Sequence, residues 1–188
     1  RASKRAMVIA DLPFGSYETS AEQALATSTR FFKEAGAMAV KLEGAHIETI
    51  EKLTAAGIPV MGHLGLTPQS LHQLGGYRVQ GREDGDAILE AALALEKAGA
   101  FAIVLELVPA ELAARITAAL SIPTVGIGAG VNCDAQILVW TDLVGLTAKP
   151  PKLAKAYRNL RQEIQGAAEE FAADVRGGTF PGAENTFN

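Results

Sequence analysis

The chain has 188 residues, of which 48% are hydrophobic and 20% charged. That is one domain's length at about 150 residues per domain, with enough apolar material for a real core. Lys and Arg number 17 against 21 Asp and Glu, a net charge of -4, which argues against a surface built for nucleic acid or another polyanion. A single cysteine, Cys133, excludes an internal disulfide and makes the cytoplasm the expected compartment. No apolar run reaches the roughly 18 residues needed to cross a bilayer, and no signal-peptide pattern opens the chain. The chain begins Arg1-Ala2-Ser3-Lys4 without an initiator Met and enters an apolar run almost at once. This start is expected of the later part of a longer protein.

Six strands are predicted in chain order, at about 6–12, 38–43, 59–64, 101–107, 123–128 and 137–142. Their apolar runs lack strict alternation, the pattern of strands buried on both faces in a parallel sheet. Thr19-Ser-Ala-Glu22 reads as a capping box opening a helix to about Ala35. Residues 46–56 and 86–98 read as helices ending at Gly57 and Gly99, since glycine tolerates the left-handed conformation that closes a helix. Thr67-Pro68 reads as an N-cap followed by proline at the first helical position. Pro109 opens a helix to about Leu120, and 151–176 reads as one or two C-terminal helices before a tail over 177–188. Three stretches echo one another, beginning at Glu34, Ala55 and Lys97, each a helix end at Ala-Gly, an apolar run and then a polar residue. No linker or low-complexity run divides the chain, so a single domain over 1–188 is predicted.

Strands alternating with helices indicate a parallel α/β fold. Asp11, Lys41 and Glu43, His63, Glu106 and Asp142 fall at or just after the C-terminal ends of five predicted strands. A (β/α)8 TIM barrel gathers its active site in this way, whereas an open doubly wound sheet concentrates function at one crevice. The predicted fold is therefore a barrel with about six of its eight βα units in this chain.

The strand-end residues have distinct chemistry. Asp11 closes a buried run, where a carboxylate is costly unless paired or bound to metal. Lys41 and Glu43 share one side of a strand because side chains alternate with period two. Asp11 and Glu43 together offer hard oxygen ligands suited to Mg2+. Glu106, in Ile103-Val-Leu-Glu-Leu-Val-Pro109, is a carboxylate among branched apolar residues, a setting that suits a general base. His63 lies between Gly62 and Gly65 in a strand-end position, with a functional and a structural role evenly balanced. His46 and His72 are expected at the surface. Gly126-Ile-Gly-Ala-Gly130 fails as a dinucleotide fingerprint because Val131 stands where a third glycine is required. It reads instead as space cleared after a late strand. Gly75-Gly-Tyr-Arg-Val-Gln-Gly-Arg82 reads as a binding loop or an oligomer contact, and Cys133 as inert.

The motifs, taken in order, resemble one family. Ala10-Asp-Leu-Pro-Phe14, Val40-Lys-Leu-Glu-Gly44, Gly62-His-Leu-Gly-Leu-Thr-Pro-Gln-Ser70, Gly75 to Arg82, Leu105-Glu-Leu-Val-Pro109 and Ile122-Pro-Thr-Val-Gly-Ile-Gly-Ala-Gly130 are similar to ketopantoate hydroxymethyltransferase, over about residues 6–182. The resemblance implies a TIM barrel of the phosphoenolpyruvate/pyruvate type. It implies hydroxymethyl transfer from 5,10-methylenetetrahydrofolate to 3-methyl-2-oxobutanoate, giving 2-dehydropantoate on the route to pantothenate and coenzyme A. It also implies Mg2+ as the metal and a homo-oligomer, commonly a decamer.

By the same resemblance Asp11 is a Mg2+ ligand beside the substrate, Glu43 the second metal-site carboxylate, Lys41 a contact to the keto acid and Glu106 the proton acceptor. His63 is placed behind them, orienting a carboxylate or a water. The family carries two further βα units before this chain's first strand, the second ending in an Asp-Ser pair that binds metal and substrate. An isolated 188-residue chain is therefore expected to be weakly active or inactive. Ala45 stands where the family has a second glycine, the loop 147–151 is shortened, and the tail 180–188 follows the family only in part. Two alternatives remain: a partial barrel serving in assembly, and a Mg2+-dependent carbon–carbon lyase acting on a 2-oxo acid. Such lyases carry a catalytic cysteine loop, and the setting of Cys133 lacks it.

Overall fold

The computed structural model describes residues 3–187. Among the described residues no helix is long and apolar enough to cross a membrane. The chain divides into two compact units, Arg1–Ile137 and Leu138–Asn188, each described by itself.

The first unit carries six strands: β1 Ile9–Asp11, β2 Ala39–Lys41, β3 Val60–Gly65, β4 Ala102–Glu106, β5 Thr124–Ile127 and β6 Ala135–Gln136. They form one parallel sheet in the order β1-β2-β3-β4-β5-β6. Strand order equal to chain order, with every pair parallel, is the arrangement of a (β/α)8 barrel wall, and the six strands curl into an open part of one. Helices α1 (Ala21–Arg30), α2 (Ile47–Ala55), α3 (Gly85–Lys97) and α4 (Ala110–Ala119) follow the first four strands. No helix separates β5 from β6.

The core lies between sheet and helices. β4 buries Ile103, Val104 and Leu105, and Ile103 and Leu105 join one cluster with Ile50 and Leu53 from α2, Leu95 from α3 and Ile116 from α4. Burial of successive residues on both sides of β4 explains why it reads as a continuous apolar run. α2 and α3 end at Gly57 and Gly99 as predicted, both left-handed at φ +83° and +100°. The predicted capping box is displaced by one residue. Ser20, not Thr19, is the N-cap, its hydroxyl accepting from Gln23 N–H, and the Gln23 side chain accepts from Thr19 N–H. The helix then passes from α1 into a π turn over Phe31–Ala35. Thr67-Pro68 opens only a 3-10 turn, Pro68–Ser70, and Thr67 makes no side-chain cap.

The last predicted strand requires correction. Its span of 137–142 is replaced by β6 at Ala135–Gln136, and Trp140–Leu143 form a short helix, α5, in the second unit. Asp142 therefore sits in a helix and not at a strand end. It is buried there and accepts a bond from the Thr147 hydroxyl. The C-terminal helix, α6, spans Leu160–Gly177 with Asn159 as N-cap, so 151–159 is not helical. None of its residues is buried, and Ile164, Phe171 and Val175 are exposed.

Candidate active site

Four neighbouring strands deliver the charged residues to one end of the sheet. Asp11 is the last residue of β1, Lys41 the last of β2 and Glu106 the last of β4, while Glu43 lies two residues beyond β2 and His63 lies within β3. Register sets Asp11 beside Lys41 and Gly65 beside Glu106.

These side chains form a connected series. Lys41 Nζ lies 2.7 Å from Asp11 Oδ1 and 3.4 Å from His63 Nδ1. His63 Nδ1 lies 3.7 Å from Glu43 Oε1, and on the other side of the ring Nε2 lies 3.2 Å from Glu106 Oε2. Lysine ammonium is a donor only, so its contact makes Nδ1 the acceptor and assigns the ring proton to Nε2, facing Glu106. The His63 side chain is 4% exposed, and among the described residues Nε2 has no aligned hydrogen-bond partner. Glu106 is thus not isolated among apolar side chains, as its sequence neighbourhood predicts, but faces an imidazole.

Burial pushes the Glu43 carboxyl above the ordinary carboxylate range, and the charge of Asp11 adds to this. A hydrogen bond from Gln69 N–H at 2.8 Å, with the charges of His63 and Lys41, opposes it. Burial also raises the Tyr17 phenol to about 12. Tyr17 is 2% exposed, accepts from Glu43 N–H at 3.3 Å and donates to Gln69 Oε1 at 2.7 Å. Neither Tyr17 nor Gln69 is singled out by the sequence pattern as a site residue. Position alone marks them: Tyr17 lies shortly after the Asp-Leu-Pro-Phe run and Gln69 closes Leu66-Thr-Pro-Gln. His46, expected at the surface, is half-buried and packs edge-on against Tyr17, ring centroids 5.4 Å apart. His72 is exposed.

The backbone around Glu106 is tightly held. Gly65 has φ +91°, and a Cβ there would overlap the Glu106 carbonyl oxygen and lie 2.7 Å from Val108 Cγ1. Leu107 adopts φ +46°, a conformation that costs a non-glycine residue on the order of 1–3 kcal/mol. It is fixed by its N–H to Ile127 O at 3.0 Å and by Gln80 N–H to its own carbonyl at 2.9 Å. Gln80 belongs to the Gly75–Arg82 loop, which is thereby tied to the residue after Glu106. The Gly126–Gly130 run is a packing feature: Gly126 makes room for Cys133 and Gln136, and Gly130 for Ala110 at the start of α4.

The donor set suits a hard divalent cation in kind. Two carboxylates at the ends of adjacent strands lie close enough for their charges to repel, the Glu43 oxygens are largely withdrawn from water, and the Asp11 side chain remains open to solvent. Among the described residues no three His, Cys, Asp or Glu side chains converge on one point. Mg2+ takes one or two carboxylates with substrate oxygens and water, so two suffice.

A model of the family described as ketopantoate hydroxymethyltransferase matches residues 1–183. The chain is 60% identical to the 3-methyl-2-oxobutanoate hydroxymethyltransferase of Acidothermus cellulolyticus, covering all of this chain and 70% of that protein. It is 57% identical to the protein of that name from Frankia alni, covering 63% of it, and 55% identical to that of Thermobifida fusca, covering 68%. The chain spans about two thirds of the length of these curated relatives. Among solved structures, the fold is similar to the Amycolatopsis orientalis BexX/CysO complex, with a TM-score of 0.51 and 15% identity over 93% of this chain and 70% of that one. It is also similar to a phosphoenolpyruvate phosphomutase from Streptomyces platensis subsp. rosaceus, with a TM-score of 0.50 and 16% identity over 90% of this chain and 61% of that one.

Proposed function

The chain belongs to the ketopantoate hydroxymethyltransferase family, and from that premise we propose that its strand-end cluster serves hydroxymethyl transfer from 5,10-methylenetetrahydrofolate to 3-methyl-2-oxobutanoate. The observation that carries the reading is the series Asp11–Lys41–His63–Glu106, with Glu43 beside His63, which sets a cation, two metal-type carboxylates and a separate carboxylate base at one end of four parallel strands.

Asp11 and Glu43 would hold Mg2+, which when bound supplies a Lewis acid for the substrate's carboxylate and keto oxygens. Lys41, itself largely buried, directs an ammonium toward the same oxygens and stabilises negative charge as it develops there. Glu106 removes the proton from the carbon alpha to the keto group, and the resulting enolate carbon attacks the methylene carbon carried by the folate. The attack breaks the methylene's bond to one folate nitrogen, water then replaces the other nitrogen at that carbon and supplies the product hydroxyl, and the two nitrogens take up the proton held by Glu106 and one from water as tetrahydrofolate departs. His63 stands behind Glu106, its Nε2 3.2 Å from Glu106 Oε2 and placed to donate there, while Nδ1 accepts from Lys41.

The same reading includes a place in pantothenate biosynthesis, in the cytoplasm, and self-association into a homo-oligomer. The exposed Ile164, Phe171 and Val175 of α6 support the last point. The test is exchange of the C3 proton of 3-methyl-2-oxobutanoate with deuterium in the presence of Mg2+ and no folate. In a protein of the relatives' full length, Glu106→Gln is expected to abolish exchange while leaving Mg2+-dependent keto-acid binding. Exchange at the unsubstituted rate would remove Glu106 as the base.

A further inference from the structure

Gln69 and Tyr17 take no part in the chemistry above, yet their polar atoms are spent on the residues that do. Gln69 stands in the 3-10 turn after β3. Its backbone N–H donates to Glu43 Oε2 at 2.8 Å, its side-chain Nε2 donates to Leu12 O at 2.9 Å, and its Oε1 accepts from the Tyr17 hydroxyl at 2.7 Å. The Tyr17 hydroxyl in turn accepts from Glu43 N–H at 3.3 Å. Leu12 directly follows Asp11, and its own N–H donates to Lys41 O at 2.8 Å. One closed set of bonds therefore joins the backbone beside Asp11, the backbone of Glu43 and the carboxylate of Glu43.

The directions of these bonds are forced. Glu43 N–H can only donate, so the Tyr17 oxygen accepts there and its single proton goes to Gln69. That makes the facing Gln69 atom the carbonyl oxygen and leaves the amide nitrogen for Leu12 O. The reversed amide would strand the tyrosine proton and set two oxygens against each other. Leu12 is fully buried, Tyr17 nearly so and Gln69 half-buried, so an unmade bond here leaves a polar group poorly solvated.

We propose that Gln69 and Tyr17 are the positioning pair of a divalent-cation site, holding the Glu43 carboxylate in fixed relation to Asp11 before any cation arrives. This rests on the reading of Asp11 and Glu43 as the cation ligands. Residues that orient ligands in this manner typically contribute about 10–100-fold to metal affinity.

The experiment measures Mn2+ affinity from the paramagnetic resonance signal of free Mn2+, on the metal-free full chain, below its melting temperature. Tyr17→Phe removes the hydroxyl with little change of volume, and Gln69→Leu removes the amide while keeping the backbone bond to Glu43. Each is expected to weaken Mn2+ binding by about 10–100-fold. A purely structural role would lower the melting temperature and leave the affinity of the folded variant unchanged, and that result would overturn the pairing while leaving the ligand assignment intact. An unsubstituted chain that binds no Mn2+, or a Glu43→Gln chain that binds it as tightly, overturns both. A readout without substitution covers variants that fail to fold. The Gln69 side-chain amide is expected to exchange slowly with solvent in the metal-free chain and equally slowly with Mg2+ present, and rapid exchange without metal overturns the proposal.

Discussion

His63 and Glu106 approach to 3.2 Å, Nε2 to Oε2, without the alignment of a hydrogen bond. With Lys41 at Nδ1 the ring proton is assigned to Nε2, and the Glu106 acceptor lies within reach of it. Hydrogen bonds at catalytic groups commonly tighten only in the substrate complex. His63→Ala is therefore expected to slow C3-proton exchange by about 100-fold, the scale of a roughly 1 Å misplacement, with keto-acid affinity little changed. His63→Gln, which can carry an N–H toward Glu106, should retain more activity than His63→Ala. Equal losses in the two variants, read by nuclear magnetic resonance of the exchanging substrate, would reject the positioning role.

Gly65 is the steric counterpart of that arrangement. Its φ of +91° and the nearness of the Glu106 carbonyl leave no room for a Cβ. Gly65→Ala is expected to destabilise the chain by at least about 2 kcal/mol, from backbone strain and overpacking. It should also displace Glu106 and so reduce proton exchange beyond what the lost stability explains. Denaturant unfolding beside the exchange assay separates the two effects.

The phenol of Tyr17 keeps its proton to unusually high pH, its ionisation raised to about 12 chiefly by burial. An absorbance titration at high pH should show one of the three tyrosines ionising near 12, and Tyr17→Phe should remove that step. Because the folded value exceeds the unfolded one, the stabilisation is complete below about pH 10 and is lost as pH rises through about 12.

Glu43 is predicted to make the metal-free protein less stable as pH rises. Its folded ionisation is shifted upward by burial and by Asp11, so the folded state binds more protons than the unfolded one above about pH 4.3, the unfolded value. Stability is then greatest below that value and falls as pH rises through the folded ionisation. Glu43→Gln keeps an acceptor for Gln69 N–H and should flatten this part of the melting profile, measured without divalent cations. A profile unchanged by the substitution would show that Glu43 does not contribute to it.

Much of this architecture is legible in the sequence because it rests on local rules. Apolar runs such as Ala102–Glu106 announce doubly buried strands, Gly57 and Gly99 announce helix ends, and a charge closing an apolar run, as at Asp11 and Glu106, announces a strand mouth. The errors have equally physical sources. The run from Ile137 is apolar enough for a strand, but pairing with β5 stops at Gln136, and α5 begins at Trp140. The role of Tyr17 and Gln69 is not legible locally because it is set by partners 26 to 57 residues away in the chain. No periodicity encodes such a contact.

The strand order bears on how the first unit folds. Each strand pairs only with the strand before and after it in the chain, so the widest loop closed between paired residues, such as Met61 with Ala102, is about forty residues. The entropy of assembly is thus divided into several modest closures, and structure can spread from one strand pair to the next as in a repeat array. The β3–β4 pair, with the longest register and the most buried strand, is the natural starting point. Because it also carries His63 and Glu106, the pair proposed to handle the substrate proton would be among the earliest parts of the molecule to take native form.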